Sequence, residues 1–273
     1  MRFKLPYGLK DGQLVHISLV PKGLNCNCVC PGCGHALIAR KGEKTIHHFA
    51  HAQHGECAKG LETALHLSAK EILEKHNKMK LPKVEVEFNS YRPNWLVSEE
   101  SSIEFDEVKL EYRMDSIIPD VLVTVKGRPL MIEITVTHKT EKPKIEKIKQ
   151  LGISCLEIDL SKIKGDLTIL ELEHIIIEET TSKQWLYNQK ADAYKKKALT
   201  FAEHRKTYSS GYIDNCPIRR KTSASVFRDC LICEYCLQLD DGEEYSPLES
   251  VLCTGATKVK DFEDIIVRKP TSK

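Results

Sequence analysis

The distribution of the cysteines constrains this chain more than any other feature. Ten of its 11 cysteines fall in two groups, within residues 26–57 and 216–253, and only Cys155 lies apart, in an apolar run. The N-terminal sequence lacks the apolar stretch of a secretory signal, so we expect a cytoplasmic protein with reduced thiols. Clustered thiols in a reducing compartment more often bind metal or take part in catalysis than form disulfides. The pattern therefore predicts two small metal-binding modules.

Composition excludes several classes of protein. The 41 Lys and Arg residues nearly balance the 39 Asp and Glu residues, and 41% of the chain is hydrophobic. This combination argues against disorder, which needs low hydrophobicity and high net charge. It also argues against a uniformly basic nucleic-acid-binding protein, so any DNA affinity must come from local patches. Because no apolar run reaches the ~18 residues of a transmembrane helix, we expect no membrane association.

The first cysteine group has the spacing of a zinc site. Cys30-Pro31-Gly32-Cys33-Gly34 places two thiols on one tight turn, and zinc in a structural site needs two further Cys or His ligands. The predicted ligands are Cys30, Cys33, His51 and Cys57, with His48 as the alternative fourth ligand. The other thiols, Cys26 and Cys28, are either spare or ligands of a second ion. The remaining histidines are expected to be exposed: His35, His47 and His54.

The middle of the chain, residues 61–180, predicts a mixed α/β core. Apolar residues recur at helical spacing, alternate as in half-buried strands, or form the continuous runs of strands covered on both faces. The predicted elements are a helix over 61–73, strands at 84–88 and 108–112, a hairpin of 118–125 and 130–136, a helix over 143–151 and a strand at 153–158. Helix, antiparallel strands, helix and strand in this order predict a mixed sheet covered by helices.

Two carboxylates interrupt the apolar strands of this hairpin. Asp120 begins the first strand, and Glu133 lies in the second, two residues before Thr135 and on the same face. Burying a carboxylate is costly unless a cation compensates it, and carboxylates with waters and substrate phosphate are typical magnesium ligands. Glu62 opens the preceding helix on the same side as a histidine and a lysine. We therefore predict that Asp120 and Glu133 bind Mg²⁺ or Mn²⁺.

The last segment, residues 181–273, begins with a basic stretch. The sequence from Gln184 to Lys206 predicts one helix with an excess of Lys and Arg, and more basic residues follow it. Such a face is either simply solvated or a surface that binds nucleic-acid phosphates, and both interpretations stay open.

The second cysteine group predicts another metal site, a zinc ribbon with four thiolates. The predicted ligands are Cys216, Cys230, Cys233 and Cys253, with Cys236 as a spare thiol or a substitute. The alternative is an iron–sulfur cluster, with which the Cys-x2-Cys-x2-Cys run is also compatible. We favour zinc because Cys216-Pro217 and the distant Cys253 resemble paired arms of a zinc knuckle.

Together these motifs resemble a known family. Ile118-Pro119-Asp120, followed after twelve residues by Glu133-Ile134-Thr135, resembles the PD-(D/E)xK nuclease signature. The CPxCG…HHFAH…C pattern, followed by Glu62-Thr63-Ala64-Leu65-His66, resembles the competence protein CoiA-like family. The resemblance covers roughly residues 20–165. It implies a restriction-endonuclease-like core that cleaves DNA, with Asp120 and Glu133 as metal ligands and Glu62 as a helix-borne acidic partner.

One position departs from the signature. Thr135 stands where the family has Lys, or often Gln, and a threonine can only hydrogen-bond, whereas lysine would stabilise charge on the phosphate. Lys70, Lys139 or Lys144 would then have to supply the cation. The alternative is a catalytically inactive nucleic-acid-binding protein on the same fold. A further alternative is an adaptor that binds a protein partner through its zinc modules.

The sequence thus predicts an α/β protein whose restriction-endonuclease-like mixed sheet core lies between two zinc-binding modules. The expected domains are an N-terminal zinc module (1–60), a nuclease-like core (61–180) and a basic helix with a zinc ribbon (181–273). The expected cofactors are two structural Zn²⁺ ions and catalytic Mg²⁺ or Mn²⁺. The expected partner is DNA, single- or double-stranded; a protein partner and a homo-oligomer stay open. Thr135 is kept with Glu62, Asp120 and Glu133 as a candidate catalytic residue.

Overall fold

The computed structural model describes residues 5–43, 47–53, 57–88, 92–162, 168–208, 211–240 and 250–267. Within them the helices are α1 (Ala58–His76), α2 (Lys142–Leu151), α3 (Ile169–Ile177), α4 (Gln189–Leu199) and α5 (Phe262–Val267). The strands are β1 (Tyr7–Lys10), β2 (Gln13–His16), β3 (Leu37–Arg40), β4 (His48–His51), β5 (Lys78–Leu81), β6 (Val84–Val86), β7 (Trp95–Ser98), β8 (Ser101–Glu104), β9 (Glu107–Leu110), β10 (Val121–Val125), β11 (Arg128–Thr135), β12 (Cys155–Asp159), β13 (Lys183–Tyr187), β14 (Glu203–Tyr208), β15 (Tyr212–Ile213), β16 (Ala224–Ser225), β17 (Cys236–Asp240) and β18 (Ser250–Cys253). Every helix in this described part of the chain is too short or too polar to cross a membrane.

The chain divides into two units. The first contains Met1–Pro82 and Glu100–Tyr187, and the second contains Lys83–Glu99 and Asn188–Lys273. The predicted N-terminal module therefore shares a unit with most of the predicted core, and the segment around β6 and β7 groups with the C-terminal part. The division into three domains stays a prediction.

The first unit is built on a five-stranded mixed sheet with the order β13-β12-β11-β10-β9. The strands β9, β10 and β11 are antiparallel, and β11 pairs in parallel with β12 after α2 has crossed between them. The predicted hairpin is confirmed, with a two-residue turn at Lys126 and Gly127. Both turn residues have positive φ, 49° and 73°, as a type I′ turn requires.

Helices cover both faces of this sheet. Ile132 and Ile134 of β11 pack in the same cluster as the apolar residues of α1 and α3. Met131 packs in a second cluster with Ile148 of α2 and with Cys155, which is fully buried as predicted. From Leu130 to Thr135 β11 is buried on both faces, so this part of the strand is apolar except at Glu133 and Thr135, whose side chains have specific partners. The apolar residues of β1, β3 and β4 belong to the α1 cluster too.

One predicted element was wrong, and another is shorter than predicted and lies outside the core sheet. The helix expected from Gln184 to Lys206 is instead strand β13, helix α4 and strand β14. The aromatic and β-prone start of this segment pairs with β12 and completes the sheet, because strand pairing overrides weak local propensity. Asn188 then caps a new helix by accepting a hydrogen bond from the Ala191 amide. The strand expected at 84–88 is the shorter β6, which pairs with β7 outside the core sheet.

The second unit contains another five-stranded sheet, with the order β16-β15-β14-β18-β17. Buried Ile213, Val251 and Ala224 of this sheet form a cluster with the C-terminal cysteines. A separate aromatic cluster joins α4, α5, β6 and β7, where the ring of Trp95 meets that of Phe262 edge-on with centroids 5.1 Å apart. The thiols therefore lie in a core of their own.

Candidate functional site

The four predicted N-terminal zinc ligands come together. The ligand atoms of Cys30, Cys33, His51 and Cys57 all lie within 4.8 Å of one another, and they are the one group of this kind in the described ranges. Cys33 Sγ is 3.3 Å from His51 Nε2. Three thiols and one imidazole form the closed ligand set of structural zinc. The arrangement can therefore hold one zinc ion.

Two glycines allow the thiols to approach the start of α1. A Cβ atom on Gly32 would lie 2.7 Å from the Gly60 amide nitrogen, and one on Gly60 would lie 2.8 Å from Cys30 Sγ. Cys57 is the residue that caps α1, so its thiol and the Cys30-to-Cys33 turn meet at the N-terminus of a 19-residue helix. The positive end of the helix dipole favours thiolate ligands there.

Local hydrogen bonds favour the thiolate form of Cys33. The backbone amide and side chain of His35, followed by weaker contributions from Cys30 and His51, lower the pKa of Cys33 to about 6. Burial raises the pKa of Cys30 to about 11. Cys33 thus supplies an anionic ligand at neutral pH before any ion arrives.

The remaining residues of the segment stand outside this group. His48, the alternative ligand, lies at the opposite end of β4 from His51 and pairs in register with Arg40. Cys26 and Cys28 are buried, and each sulfur donates to a backbone carbonyl, which favours the interpretation as spare thiols. His35 and His47 are exposed as predicted. His54 lies outside the described residues.

The two strand carboxylates face each other across the hairpin. Val121 pairs with Ile132, so Asp120 and Glu133 occupy the next opposed positions, on one face of the sheet. Asp120 Oδ2 accepts hydrogen bonds from His66 Nε2 at 2.9 Å and from the Ile134 amide at 2.8 Å. Burial acts to raise the pKa of Asp120, but these bonds and the nearby Lys70 charge lower it below its ordinary value.

The charge of the Glu133 carboxylate is compensated by fewer contacts than that of Asp120. Its side chain is 6% exposed, and Oε2 accepts a hydrogen bond from Lys144 Nζ at 2.6 Å. Its other oxygen, Oε1, is buried and has no hydrogen-bond partner among the described residues. Burial raises the pKa of Glu133 to about 7; Lys144 opposes this rise and the charge of Asp120 adds to it. An orphaned carboxylate oxygen beside a second carboxylate is a natural position for a cation.

The structure distinguishes between the candidate lysines. Lys144 reaches from α2 to Glu133 and also donates to the Ile118 carbonyl at 3.3 Å. Lys70 contacts Glu111 at 2.8 Å and Asp120 at 3.5 Å. Lys139 is exposed in the loop after β11. Lys144 is therefore the lysine in direct contact with the strand glutamate.

The Thr135 hydroxyl does not contact the carboxylates of Asp120 or Glu133. Thr135 is buried, and its Oγ1 donates to Glu157 Oε1 at 2.8 Å. Glu62 Oε1, in turn, accepts a hydrogen bond from Thr137 Oγ1 at 2.6 Å, just past the end of β11. The contacts found for these two candidate residues do not include Asp120 or Glu133.

Sequence reasoning missed Glu157. This carboxylate is 1% exposed on β12, in register with Glu133. It accepts hydrogen bonds from the Thr135 hydroxyl, from the amide and hydroxyl of Thr140, and from the Gln184 side chain. Burial acts to raise its pKa, but these donors lower it. The sequence feature that could have identified Glu157 is the same as for Glu133, a charged residue inside an apolar strand. Glu157 anchors the loop that leads from β11 to α2, the helix that carries Lys144.

The C-terminal thiols share one core but are not grouped as tightly as the N-terminal ligands. The sulfur side chains pack in or against a single buried cluster: Cys216, Cys230, Cys233, Cys236 and Cys253. Burial, followed by the charges of the other four thiols, raises the pKa of Cys230 to about 12. Within the described ranges these thiols do not form a group with all sulfurs inside 4.8 Å. The second zinc site remains a prediction.

Part of the chain matches a known protein family. Residues 22–60 match the family model for the N-terminal domain of competence protein CoiA. The matched segment contains all four grouped ligands and supports the resemblance to the CoiA family there. It ends in the first turn of α1 and does not reach the carboxylate pair. No curated protein and no solved structure matches the chain significantly.

Proposed function

We propose that this protein is a metal-dependent nuclease that hydrolyses DNA phosphodiester bonds at a site built on Asp120 and Glu133. The observation that carries the proposal is the buried Glu133 carboxylate, whose Oε1 has no partner among the described residues while Oε2 binds Lys144. A carboxylate that served only stability would be expected to have both oxygens satisfied. We infer that this oxygen takes a ligand that the described residues do not provide.

The donor set suits Mg²⁺ or Mn²⁺, which prefer carboxylate oxygens and keep several waters. Asp120 and Glu133 would hold the ion, and a bound ion lowers the pKa of its water and offsets charge on the phosphate. His66 and the Ile134 amide fix the Asp120 carboxylate, so this ligand needs little reorganisation. The proposal places this site on the mixed sheet, where α1 precedes three antiparallel strands and α2 leads to a parallel strand.

Lys144 would take the role of the lysine that the signature places at position 135. Its ammonium already lies at Glu133 Oε2, and a third of the side chain is exposed, so it can also meet a substrate phosphate. A cation there would orient the attacking water and stabilise the charge that develops on the phosphate. Glu157, by holding Thr135 and Thr140, would position the loop and helix from which Lys144 reaches in.

A cleavage assay tests the proposal. The full chain should cut single- or double-stranded DNA when Mg²⁺ or Mn²⁺ is added, and cleavage should fall by orders of magnitude in Asp120→Asn, which removes one charged ligand but keeps the side-chain shape. Asp115→Asn, in the exposed turn five residues earlier, is the matched control and should cut normally. In the same assay Lys144→Ala should lose most activity and Lys139→Ala should not. Wild-type protein that cuts neither substrate with either metal would overturn the proposal.

One observation favours the alternative, a nucleic-acid-binding protein without catalysis. The Thr135 hydroxyl is committed to Glu157, and both strand carboxylates already have basic partners, so the acids could form purely structural ion pairs. Salt-sensitive DNA binding with no cleavage under any metal condition would support this alternative.

The five C-terminal thiols support a second proposed metal ion. Five thiols from separate segments pack in or against one small cluster, and four thiolates satisfy tetrahedral zinc. Cys216, Cys230, Cys233 and Cys253 remain the favoured set, with Cys236 next to Cys253 across β17 and β18 as the substitute. On this proposal each chain holds two structural zinc ions.

A further inference from the structure

Three exposed aromatic side chains lie on the sheet of the second unit and on the helical turn Val226–Cys230 that follows β16. Tyr208 is 41% exposed, Tyr212 37% and Phe227 65%. Tyr208 and Tyr212 are cross-strand partners on β14 and β15, with nearly parallel rings whose centroids lie 6.1 Å apart. The Phe227 ring covers Gly211, where a Cβ atom would lie 3.2 Å from ring carbon Cε2. We call Tyr208, Tyr212 and Phe227 the aromatic platform.

The backbone fixes the platform in place. The Gly211 amide donates to the Tyr208 carbonyl at 2.8 Å, and the Val226 amide donates to the Gly211 carbonyl at 2.9 Å. Tyr212 also pairs with Ser225, so all three rings are carried by neighbouring hydrogen-bonded strands or by the residues directly after them. The core beneath is already filled by residues such as Ile213 and Val251, which are almost fully buried. The three rings are therefore not needed to complete the core of this sheet.

The segment that carries the platform has an excess of positive charge. Residues 203–231 contain six Lys and Arg against three Asp and Glu. Two of these acids are already paired, Glu203 with Arg205 and Asp229 with Arg219. The cations that have no ion pair within the described part of the chain are Lys206, Arg220, Lys221 and Arg228. Lys206 lies two residues before Tyr208 on β14, so both side chains project from the same face.

We propose that the aromatic platform binds single-stranded DNA by stacking on its bases, while Lys206 and Arg228 contact the phosphates. Flat rings beside cations complement a strand that has unpaired bases and an anionic backbone. Duplex DNA offers no free base faces, since its bases are stacked on one another, so the platform favours a single strand. The choice of DNA as the ligand rests on the proposed nuclease function, but binding at the platform needs no cleavage.

Binding measurements with the full chain can test the platform separately from catalysis. The Glu133→Gln background without added Mg²⁺ or Mn²⁺ prevents cleavage, and fluorescence anisotropy follows a labelled oligothymidine, a duplex and an RNA strand of the same length. Tyr208→Ala, Tyr212→Ala and Phe227→Ala should each weaken oligothymidine binding roughly fivefold to a hundredfold, because stacking contributes about 1–3 kcal/mol per base. Lys206→Gln should flatten the salt dependence of the affinity by about 0.7 in log–log slope.

Two controls make the result specific. Tyr112→Ala removes a similarly exposed tyrosine, 48% exposed in the first unit, and should leave binding unchanged. Phe227→Leu keeps an apolar side chain without a ring and should bind as weakly as Phe227→Ala; thermal melting checks that each variant is folded. Platform variants that bind oligothymidine like wild type, or wild-type preference for the duplex or for RNA, would overturn the proposal. Stacking-dependent binding in a protein that never cuts DNA would uphold the platform and reject only the nuclease.

Discussion

Changing Glu133 to glutamine is expected to reduce DNA cleavage by roughly 10²- to 10³-fold or more, and at the same time to stabilise the protein at pH 8. The activity falls because the amide is a poor metal ligand, so several kcal/mol of charge stabilisation in the transition state are lost. Each ~1.4 kcal/mol lost lowers the cleavage rate tenfold. The stability rises because a buried carboxylate with an orphaned oxygen is replaced by a neutral group that can still accept a hydrogen bond from Lys144.

The pH dependence gives the sign of this stabilisation. Burial raises the pKa of Glu133 from its ordinary value of 4.5 to about 7 in the folded protein. The folded state therefore holds the proton more tightly than the unfolded state. The resulting stability is fully present below pH 4.5 and is lost as the pH rises through 7, by about 3 kcal/mol in total.

Urea unfolding of wild type and Glu133→Gln at a series of pH values, without added Mg²⁺ or Mn²⁺, measures the effect. The variant should lack the decline in unfolding free energy between pH 4.5 and 7 that Glu133 causes in wild type. Glu146→Gln, at an exposed position of α2, is the matched control and should leave both cleavage and the pH profile unchanged. A Glu133→Gln protein that cut DNA normally, or that was less stable than wild type at pH 8, would contradict the assigned role.

The second large effect concerns the N-terminal zinc. His51→Ala should lose one zinc ion per chain and lower the melting temperature by roughly 10 °C or more. Structural zinc contributes on the order of 10 kcal/mol to folding, and each kcal/mol lost shifts the midpoint of a domain of this size by about 2–4 °C. His48→Ala changes the same residue type three positions earlier on the same strand and should keep the ion. If His48→Ala lost the zinc and His51→Ala kept it, the ligand assignment would be wrong.

Elemental analysis of anaerobically purified wild type extends this test to the whole chain. Two zinc ions and little iron are expected, and Cys230→Ser should retain only the N-terminal ion. Iron together with labile sulfide would reject the C-terminal zinc ribbon in favour of a cluster. A single zinc ion in wild type would leave the buried C-terminal thiols without the proposed ligand.

Sequence patterns predicted the parts of the proposed sites that follow from local chemistry. The Cys30-to-Cys33 turn and the apolar hairpin each carry their signal within a few residues, and a charged residue inside an apolar strand stands out by itself. The grouping of Cys30, Cys33, His51 and Cys57 in the structure agrees with the predicted zinc ligands. The opposed positions of Asp120 and Glu133 follow directly from the register of the hairpin.

What the sequence did not settle depends on contacts between distant segments. Lys144 was one of three candidate lysines, and only the docking of α2 on the sheet brings it to Glu133. The buried Glu157 carboxylate accepts hydrogen bonds from donors on three separate segments of the chain. The segment from Gln184 to Tyr187 has only a weak local preference for strand, and it becomes a strand because it pairs with β12. Such tertiary effects leave no periodic pattern for sequence analysis to detect.

The location of Mn²⁺ in crystals of the full chain tests the central claim most directly. Diffraction data collected at the manganese absorption edge, from wild-type crystals soaked with Mn²⁺, should give an anomalous peak at the carboxylates of Asp120 and Glu133. The same soak of Glu133→Gln crystals should give a weak peak or none there. A wild-type structure without manganese at these carboxylates, and with Glu133 Oε1 bound to a donor from the polypeptide itself, would contradict the proposed active site.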